Sequence, residues 1–439
     1  MRPRQLLPAL GLVVAFGCSS SKAGFMPADP DGGRTGTEGG ADAGALARDG
    51  SVADGPRFCP TNDCDGDGYP PPADCDDSNA FVNPEAFDFP GNGVDDDCDG
   101  KVDDPVLTCE TIPASPPGSP ADFARAADLC AQNSKTHAGT VFDPLVHAAW
   151  GQLQGLGPGQ TLWTSATKPA IQTAIVSSFG ANTAREGKTM VGMSNGPWAA
   201  SDPRDSAALD PSGFAISDAC ADIPLLGTDC ASLTNGAASG GVNVQDWAEL
   251  TLTVKVPSNV ETVVFDFAFL SSEFNQWWDS AANDAFFVLV TSAGLSGQNV
   301  ARDGHGLAAT VNSGFFQLCP APPGPAGLSP DKSAAIANCV GLGGDPTQMI
   351  FGTLAGTGYD GAAKSANDTV QAVNGNLYVY GGGTGWLTTK FPVKPGEQIV
   401  MRVIVADTFD GLKDSAILFD NMRWEAASES GVGRPPTAQ

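Results

Sequence analysis

Between Asp63 and Asp104, 42 residues hold 13 Asp and one Glu against a single base, Lys101. A stretch this acidic cannot collapse unaided, because its carboxylates repel one another and it has little apolar surface to bury. Gly and Cys alternate with the acids, in the runs Asp63-Cys64-Asp65-Gly66-Asp67-Gly68-Tyr69 and Asp95-Asp96-Asp97-Cys98-Asp99-Gly100-Lys101. Alternate side chains of a tight loop point to one centre, so the pattern predicts oxygen cages around a divalent cation. Without the cation the loops should be poorly stable, so metal binding and local folding are expected to be coupled.

Counting Asp63 as loop position 1, acids fall at 1, 3, 5 and 12 (Asp63, Asp65, Asp67, Asp74), with Gly68 at 6 and the Tyr69 carbonyl at 7. This is the EF-hand ligand spacing, with Asp in place of the usual Glu at 12. The second run sets Asp95, Asp97 and Asp99 at 1, 3 and 5, Gly100 at 6 and Lys101 at 7, with Asp103 and Asp104 following. Val106 occupies its position 12, so Asp76, Asp77 or Asp88 is left to close it. Pro60, Pro70, Pro71, Pro72 and Pro84 forbid flanking helices. These are EF-like loops without EF-hand helices, in the manner of thrombospondin type 3 repeats. The predicted ligand set is Asp63, Asp65, Asp67, Tyr69, Asp74, Asp76, Asp95, Asp97, Asp99, Lys101 and Asp103, and the predicted ion is Ca²⁺.

The elements DCDGDGY, DCDDSNAFVNPEA and GNGVDDDCDGKVDD, in order over about 59–104, resemble the MopE-type metal-binding repeat. Glu85 stands where that pattern has Gly, and Asp88 where it has Glu. The resemblance carries a copper association. With no His and no Met in the segment, carboxylate oxygens favour Ca²⁺ over copper.

The N-terminus reads as an export signal: Arg2 and Arg4, an apolar run from Leu6 to Phe16, then Gly17-Cys18. The run is too short to span a bilayer stably. Ala15-Phe16-Gly17-Cys18 resembles the bacterial lipobox, which implies acylation of Cys18 and attachment to a lipid membrane. Ser19, rather than Asp, then implies the outer membrane or cell surface. Of 11 cysteines, Cys18 aside, ten remain for disulfides, as an oxidising compartment permits. Local pairs are expected: Cys59–Cys64, Cys75–Cys98, Cys109–Cys130, Cys220–Cys230 and Cys319–Cys339. A four-cysteine zinc site is the rival, but it lacks CxxC knuckles. From Ser19 to about Arg57 large apolar residues are almost absent, which predicts a disordered tether.

The net charge of −27 repels phosphate backbones, so nucleic acid is excluded as a partner, and three His in 439 residues leave little for His-based catalysis. Gly 54 and Pro 34, about a fifth of the chain, favour turns and short strands over long helices. A helix is expected after Ser119 (N-cap), with Pro120 at N1, Asp122 at N3, and Phe123, Ala127 and Cys130 on one side. Beyond it the apolar period is two. Leu250, Leu252, Val254 and Val256 alternate with Thr251, Thr253 and Lys255; Phe265, Phe267 and Phe269 share one face of the next run; Ile399, Met401, Val403 and Val405 alternate again, as do Ile417 and Phe419. Phe286–Val290 is apolar on both faces and is placed centrally. The expected fold class is mainly β: a jelly-roll-like β-sandwich preceded by a small disulfide-rich Asp-loop module. The segment 293–349 reads as a long stapled insertion.

MVGMSNGPWA at 190–199, FDFAFLSSEFNQWWDSAANDAFFVLV at 265–290 and IVMRVIVADTFDGLKDSAILFDNMRWE at 399–425 resemble the choice-of-anchor L domain of bacterial surface proteins. The resemblance implies a β-sandwich module beside a membrane anchor. Glu273, Asn283, Asp284, Asp407, Asp414 and Asp420 would make a second Ca²⁺ site if their strands are neighbours, although strand-end Asp and Asn commonly shape turns. Trp277 and Trp278 are either a sugar-stacking platform or core. Gly192-Met193-Ser194-Asn195-Gly196 matches G-x-S-x-G, with His305 downstream, but Pro197-Trp198 follow at once where a nucleophile elbow needs a helix.

The expected organisation is a lipoprotein signal peptide (1–17), a tether (18–58), a metal-binding module (59–106), a β-sandwich (119–426) and a disordered tail (427–439). The expected function is that of a non-enzymatic, calcium-binding surface lipoprotein whose β-sandwich serves adhesion or ligand binding at the envelope, with a surface glycan or protein as the candidate partner. The alternatives are an extracellular polysaccharide-acting enzyme and a purely structural envelope protein.

Overall fold

β-Branched and aromatic residues at every second position build strands that turn one face to a common core. A computed structural model describes residues 59, 61–105, 109, 119–130, 142–151, 172–198, 214–216, 242–273, 284–302, 308–311, 354, 356–359, 371–373, 376–378, 381–408 and 413–433. All of them lie in a unit that begins at Cys59. Helix α1 (Pro120–Ala126) comes first, then strands β1 (Leu145–Trp150), β2 (Thr173–Val176), β3 (Ser178–Phe179), β4 (Asn182–Thr183), β5 (Met190–Ser194) and β6 (Phe214–Ile216). Next come β7 (Val242–Lys255), β8 (Thr262–Ser271), β9 (Ala285–Thr291), β10 (Gln298–Asn299) and β11 (Ala309–Thr310). The last are β12 (Gln371–Val373), β13 (Asn376–Tyr378), β14 (Gly382–Pro392), β15 (Gln398–Thr408), β16 (Ser415–Glu425) and β17 (Gly431–Gly433).

The strands form two antiparallel sheets and two small hairpins, β3–β4 and β12–β13. One sheet runs β1-β7-β15-β9-β10, with β6 also on β7 and β11 also on β9; the other runs β17-β14-β8-β16-β5-β2. Along the chain β7, β8 and β9 alternate between the sheets, and so do β14, β15 and β16, as in a jelly roll. One face of each sheet enters a shared core. Leu250, Leu252, Met401, Val403, Phe286 and Val288 come from the first, and Phe265, Phe267, Phe269, Ile417 and Phe419 from the second. The Phe267 and Phe286 rings bridge the sheets at 4.8 Å between centroids. β9 is buried on both faces, as its unbroken apolar run requires.

The helix cap is as expected: the Ser119 side chain accepts from the Asp122 N–H while the Asp122 carboxylate accepts from the Ser119 N–H. Phe123 meets Trp150 edge-on at 4.9 Å. The Cys59–Cys64, Cys75–Cys98 and Cys109–Cys130 bridges are present, so these thiols are not free to hold zinc. Cys220, Cys230, Cys319 and Cys339 lie outside the described residues.

Two local expectations need adjustment. The start of the segment read as an insertion is part of the sheet, because β10 and β11 both pair with β9. Ordered chain also runs past 426, since Gly431–Gly433 pairs with Thr388–Lys390 of β14. Edge pairing by short polar or glycine segments carries no apolar period for sequence reading to detect.

Candidate metal centre

Each Asp in the first loop is fixed by a backbone N–H close ahead of it. The Asp63 carboxylate accepts from Gly66 at 2.7 Å and Gly68 at 3.0 Å. Asp65 Oδ1 accepts from the Asp67 N–H at 3.2 Å, Asp67 Oδ1 from Tyr69 at 2.7 Å, and Asp74 Oδ1 from Asp76 at 2.7 Å. These turns lock the rotamers and leave the second oxygens over. Asp65 Oδ2, Asp67 Oδ2 and Asp74 Oδ2 are buried and meet no hydrogen-bond donor among the described residues. Asp65, Asp67 and Asp74 bring ligand atoms within 4.8 Å of one another, and Asp63, Asp65 and Asp77 form an overlapping group. Buried carboxylate oxygens without donors, on acids that converge, fit a cation.

The second loop repeats the first. Asp95 accepts from Asp99 at 3.1 Å and Gly100 at 3.0 Å, Asp97 Oδ1 from Asp99 at 3.1 Å, and Asp99 Oδ1 from Lys101 at 2.9 Å. Gly68 and Gly100, both at position 6, have φ of +98° and +93°, a region where an L side chain is strained. Asp95, Asp97 and Asp99 converge within the same 4.8 Å limit, and Asp97 Oδ2 is again a buried orphan. Asp88 is buried beside this group: its Oδ2 accepts from the Asp104 N–H at 2.6 Å, and its Oδ1 has no donor among the described residues.

The remaining expected ligands have further contacts. Asp76 is exposed and its Oδ1 accepts from the Ser78 hydroxyl at 2.7 Å. Asp103 Oδ1 caps the 91–93 turn, accepting from Gly91 at 2.8 Å and Gly93 at 3.0 Å. The Lys101 ammonium bonds Asp104 at 2.8 Å and Asp99 at 3.2 Å, and these partners raise its pKa. The Tyr69 hydroxyl reaches Glu85, and burial together with that carboxylate pushes its pKa up to about 12. Asp77, which sequence reading offered only to the second loop, joins the first; its Oδ1 also accepts from the Cys64 N–H at 2.8 Å. Its place between the two runs, outside the twelve positions of either, hid that choice. Cys18 lies outside the described residues.

Residues 74–104 match one family model, Cu-binding_MopE, described as a "Putative metal-binding motif". The chain carries a MopE-type metal-binding motif. No curated protein and no solved structure matches the chain. The matched span contains Asp74 and the whole second loop, whereas Asp63, Asp65 and Asp67 precede it. Every group available to an ion in the MopE-type segment is an oxygen: it has no His or Met, and Cys75 and Cys98 are bonded to each other. Such a donor set fits a hard cation and offers copper none of its softer ligands.

The described acids of the sandwich have the following partners. Asp284 Oδ2 accepts from the Asn195 amide at 2.9 Å and the Ser415 hydroxyl at 2.6 Å, and Glu273 Oε2 accepts from the Asp284 N–H at 3.1 Å. The Asp414 carboxylate lies where a Cβ on Gly196 would be, 1.9 Å from that position. Asp420 is further along β16, accepting from the Arg185 N–H at 2.6 Å. Asn283, Trp277, Trp278 and His305 lie outside the described residues. Ser194 is buried, donating to the Ser415 carbonyl at 3.0 Å and accepting from the Gly196 N–H at 3.1 Å. A Cβ on Gly192 would sit 2.3 Å from the Trp198 ring. Both glycines of the G-x-S-x-G match are therefore accounted for by close packing.

Burial pushes the Asp97 carboxyl up to about 7, with Asp99, Asp88 and Asp95 adding to it, and pushes Asp420 up to about 8, with Asp128 adding. The unfolded chain holds both near the ordinary value of about 4. Between those values the folded metal-free protein binds more protons than the unfolded one, so its stability falls as pH rises. The melting temperature of metal-free protein is therefore expected to be lower at about pH 8 than at about pH 5. A saturating divalent cation should recover part of the difference by replacing the proton at Asp97. Thermal melts at the two pH values check this, and a rise with pH would contradict it.

Proposed function

We propose that the protein is an exported, lipid-anchored surface protein that binds Ca²⁺ through both Asp loops, and that its β-sandwich serves adhesion or ligand binding at the cell envelope rather than catalysis. The observation that carries the metal reading is the convergence of Asp65, Asp67 and Asp74, and of Asp95, Asp97 and Asp99, with the buried Oδ2 atoms of Asp65, Asp67, Asp74 and Asp97 lacking a donor among the described residues. Calcium is chosen over copper because the donors are all oxygens on loops that tolerate its loose geometry. The lipobox-like Ala15–Cys18 supports the anchor, and the segments similar to a choice-of-anchor L domain support a surface role. Isothermal titration of the full chain with CaCl₂ and with CuSO₄ tests the reading. Saturable calcium heat at millimolar metal or below is expected, with weaker copper binding; absence of calcium heat, or a copper preference, would overturn it.

A further inference from the structure

Segment 83–89 separates the two Asp loops in sequence and touches both the second loop and the sandwich. On the loop side, the Asn83 N–H donates to the Asp96 carbonyl at 2.9 Å, between Asp95 and Asp97. Asp88 accepts from the Asp104 N–H at 2.6 Å, so the loop closes on this segment at two points. On the sandwich side it meets the turn 256–260 that joins β7 to β8. Asn83 Oδ1 accepts from the Ser258 hydroxyl at 2.8 Å, and the Ser258 N–H donates to the Glu85 carbonyl at 3.0 Å. The Asn259 amide pairs with the Phe87 backbone in both directions, each bond 2.8 Å long. Phe87 is buried, stacks edge-on with Phe89 at 4.9 Å, and belongs to the same core cluster as Val256 and Val260.

Asn83 is thus a two-sided node: its backbone holds the metal loop and its side chain holds the sandwich. Phe87 and Asp88 divide the same task between neighbouring residues, one facing the core and one the acids. Without a cation, mutual repulsion opposes closure of the second loop, and every displacement of Asp96 or Asp88 pulls on a segment bonded to the 256–260 turn. From this we infer that cation occupancy of the second loop controls how firmly segment 83–89 is docked, making the metal a lock between the Asp-rich module and the β7–β8 turn. The inference rests on the metal reading above and adds a regulated element within the sandwich.

Hydrogen exchange on the full chain, in calcium and in EGTA, tests it, with terbium luminescence reporting metal binding independently. Calcium removal should speed exchange of the 83–89 and 256–260 amides by about tenfold or more, while β15 and β8 amides at the sandwich centre change far less. In Asn259→Ala, and in the milder Ser258→Ala if the first fails to fold, terbium should still bind while exchange at 256–260 stays fast in both conditions. Metal binding with unchanged exchange at 256–260 in the natural chain would overturn the lock and leave the metal reading standing. Retained calcium dependence in a folded Asn259→Ala chain would also overturn it, and absence of any metal binding would remove both.

Discussion

An Asp97→Asn chain should bind calcium at its second loop on the order of a hundredfold more weakly, while the first loop is little changed. Asparagine keeps the side-chain carbonyl that can accept from the Asp99 N–H, so the turn survives. What disappears is the negative charge on the buried Oδ2, the atom that meets no donor among the described residues. Affinity in oxygen cages follows the number of charged ligands, so this single charge dominates. Asp65→Asn is the equivalent change in the first loop. Asp76→Asn should have little effect, because Asp76 is exposed and engaged with Ser78. Titration calorimetry of the three chains checks the set; equal losses for Asp76 and Asp97 would contradict the assignment.

Phe267→Ala should cost about 3–5 kcal/mol of folding stability. Its ring is fully buried, 4.8 Å from Phe286 of the opposite sheet and 6.2 Å from Phe265. Truncation removes contact between the two layers at their centre, and the paired strands on either side of β8 restrict any collapse into the cavity. Against a typical net stability of about 5–15 kcal/mol, the loss is a large fraction. Val146→Ala, at a side chain 53 % exposed on β1, should change stability by no more than about 0.5 kcal/mol. Equilibrium urea unfolding monitored by tryptophan fluorescence separates the two, and equal costs would contradict the placement of the core.

Local features were readable from the chain because their physics is local. The Ser119–Asp122 capping box, the short-range disulfides and the two-residue apolar period of β7, β8, β15 and β16 each lie within one segment. The two loops were readable for the same reason, since their turns are closed by backbone N–H groups a few residues away. Features made by distant residues were not. Asn259 meets Phe87 across 172 positions, through a pair of amide bonds with no periodic signature. Asp77 sits between the two acidic runs, and only the folded path assigns it to the first. Sequence also offered Ser194 as part of a catalytic motif, whereas the reasons for its flanking glycines, Trp198 and Asp414, are tertiary. A three-residue pattern cannot distinguish a packing glycine from a turn glycine.

The most direct test is the melting temperature of the full chain in saturating calcium and then in excess EGTA, at constant ionic strength. Linkage to two cation sites predicts a fall of roughly 5 °C or more on chelation, reversed when calcium is restored. A melting temperature indifferent to EGTA would contradict the claim that paired aspartate loops fold around calcium.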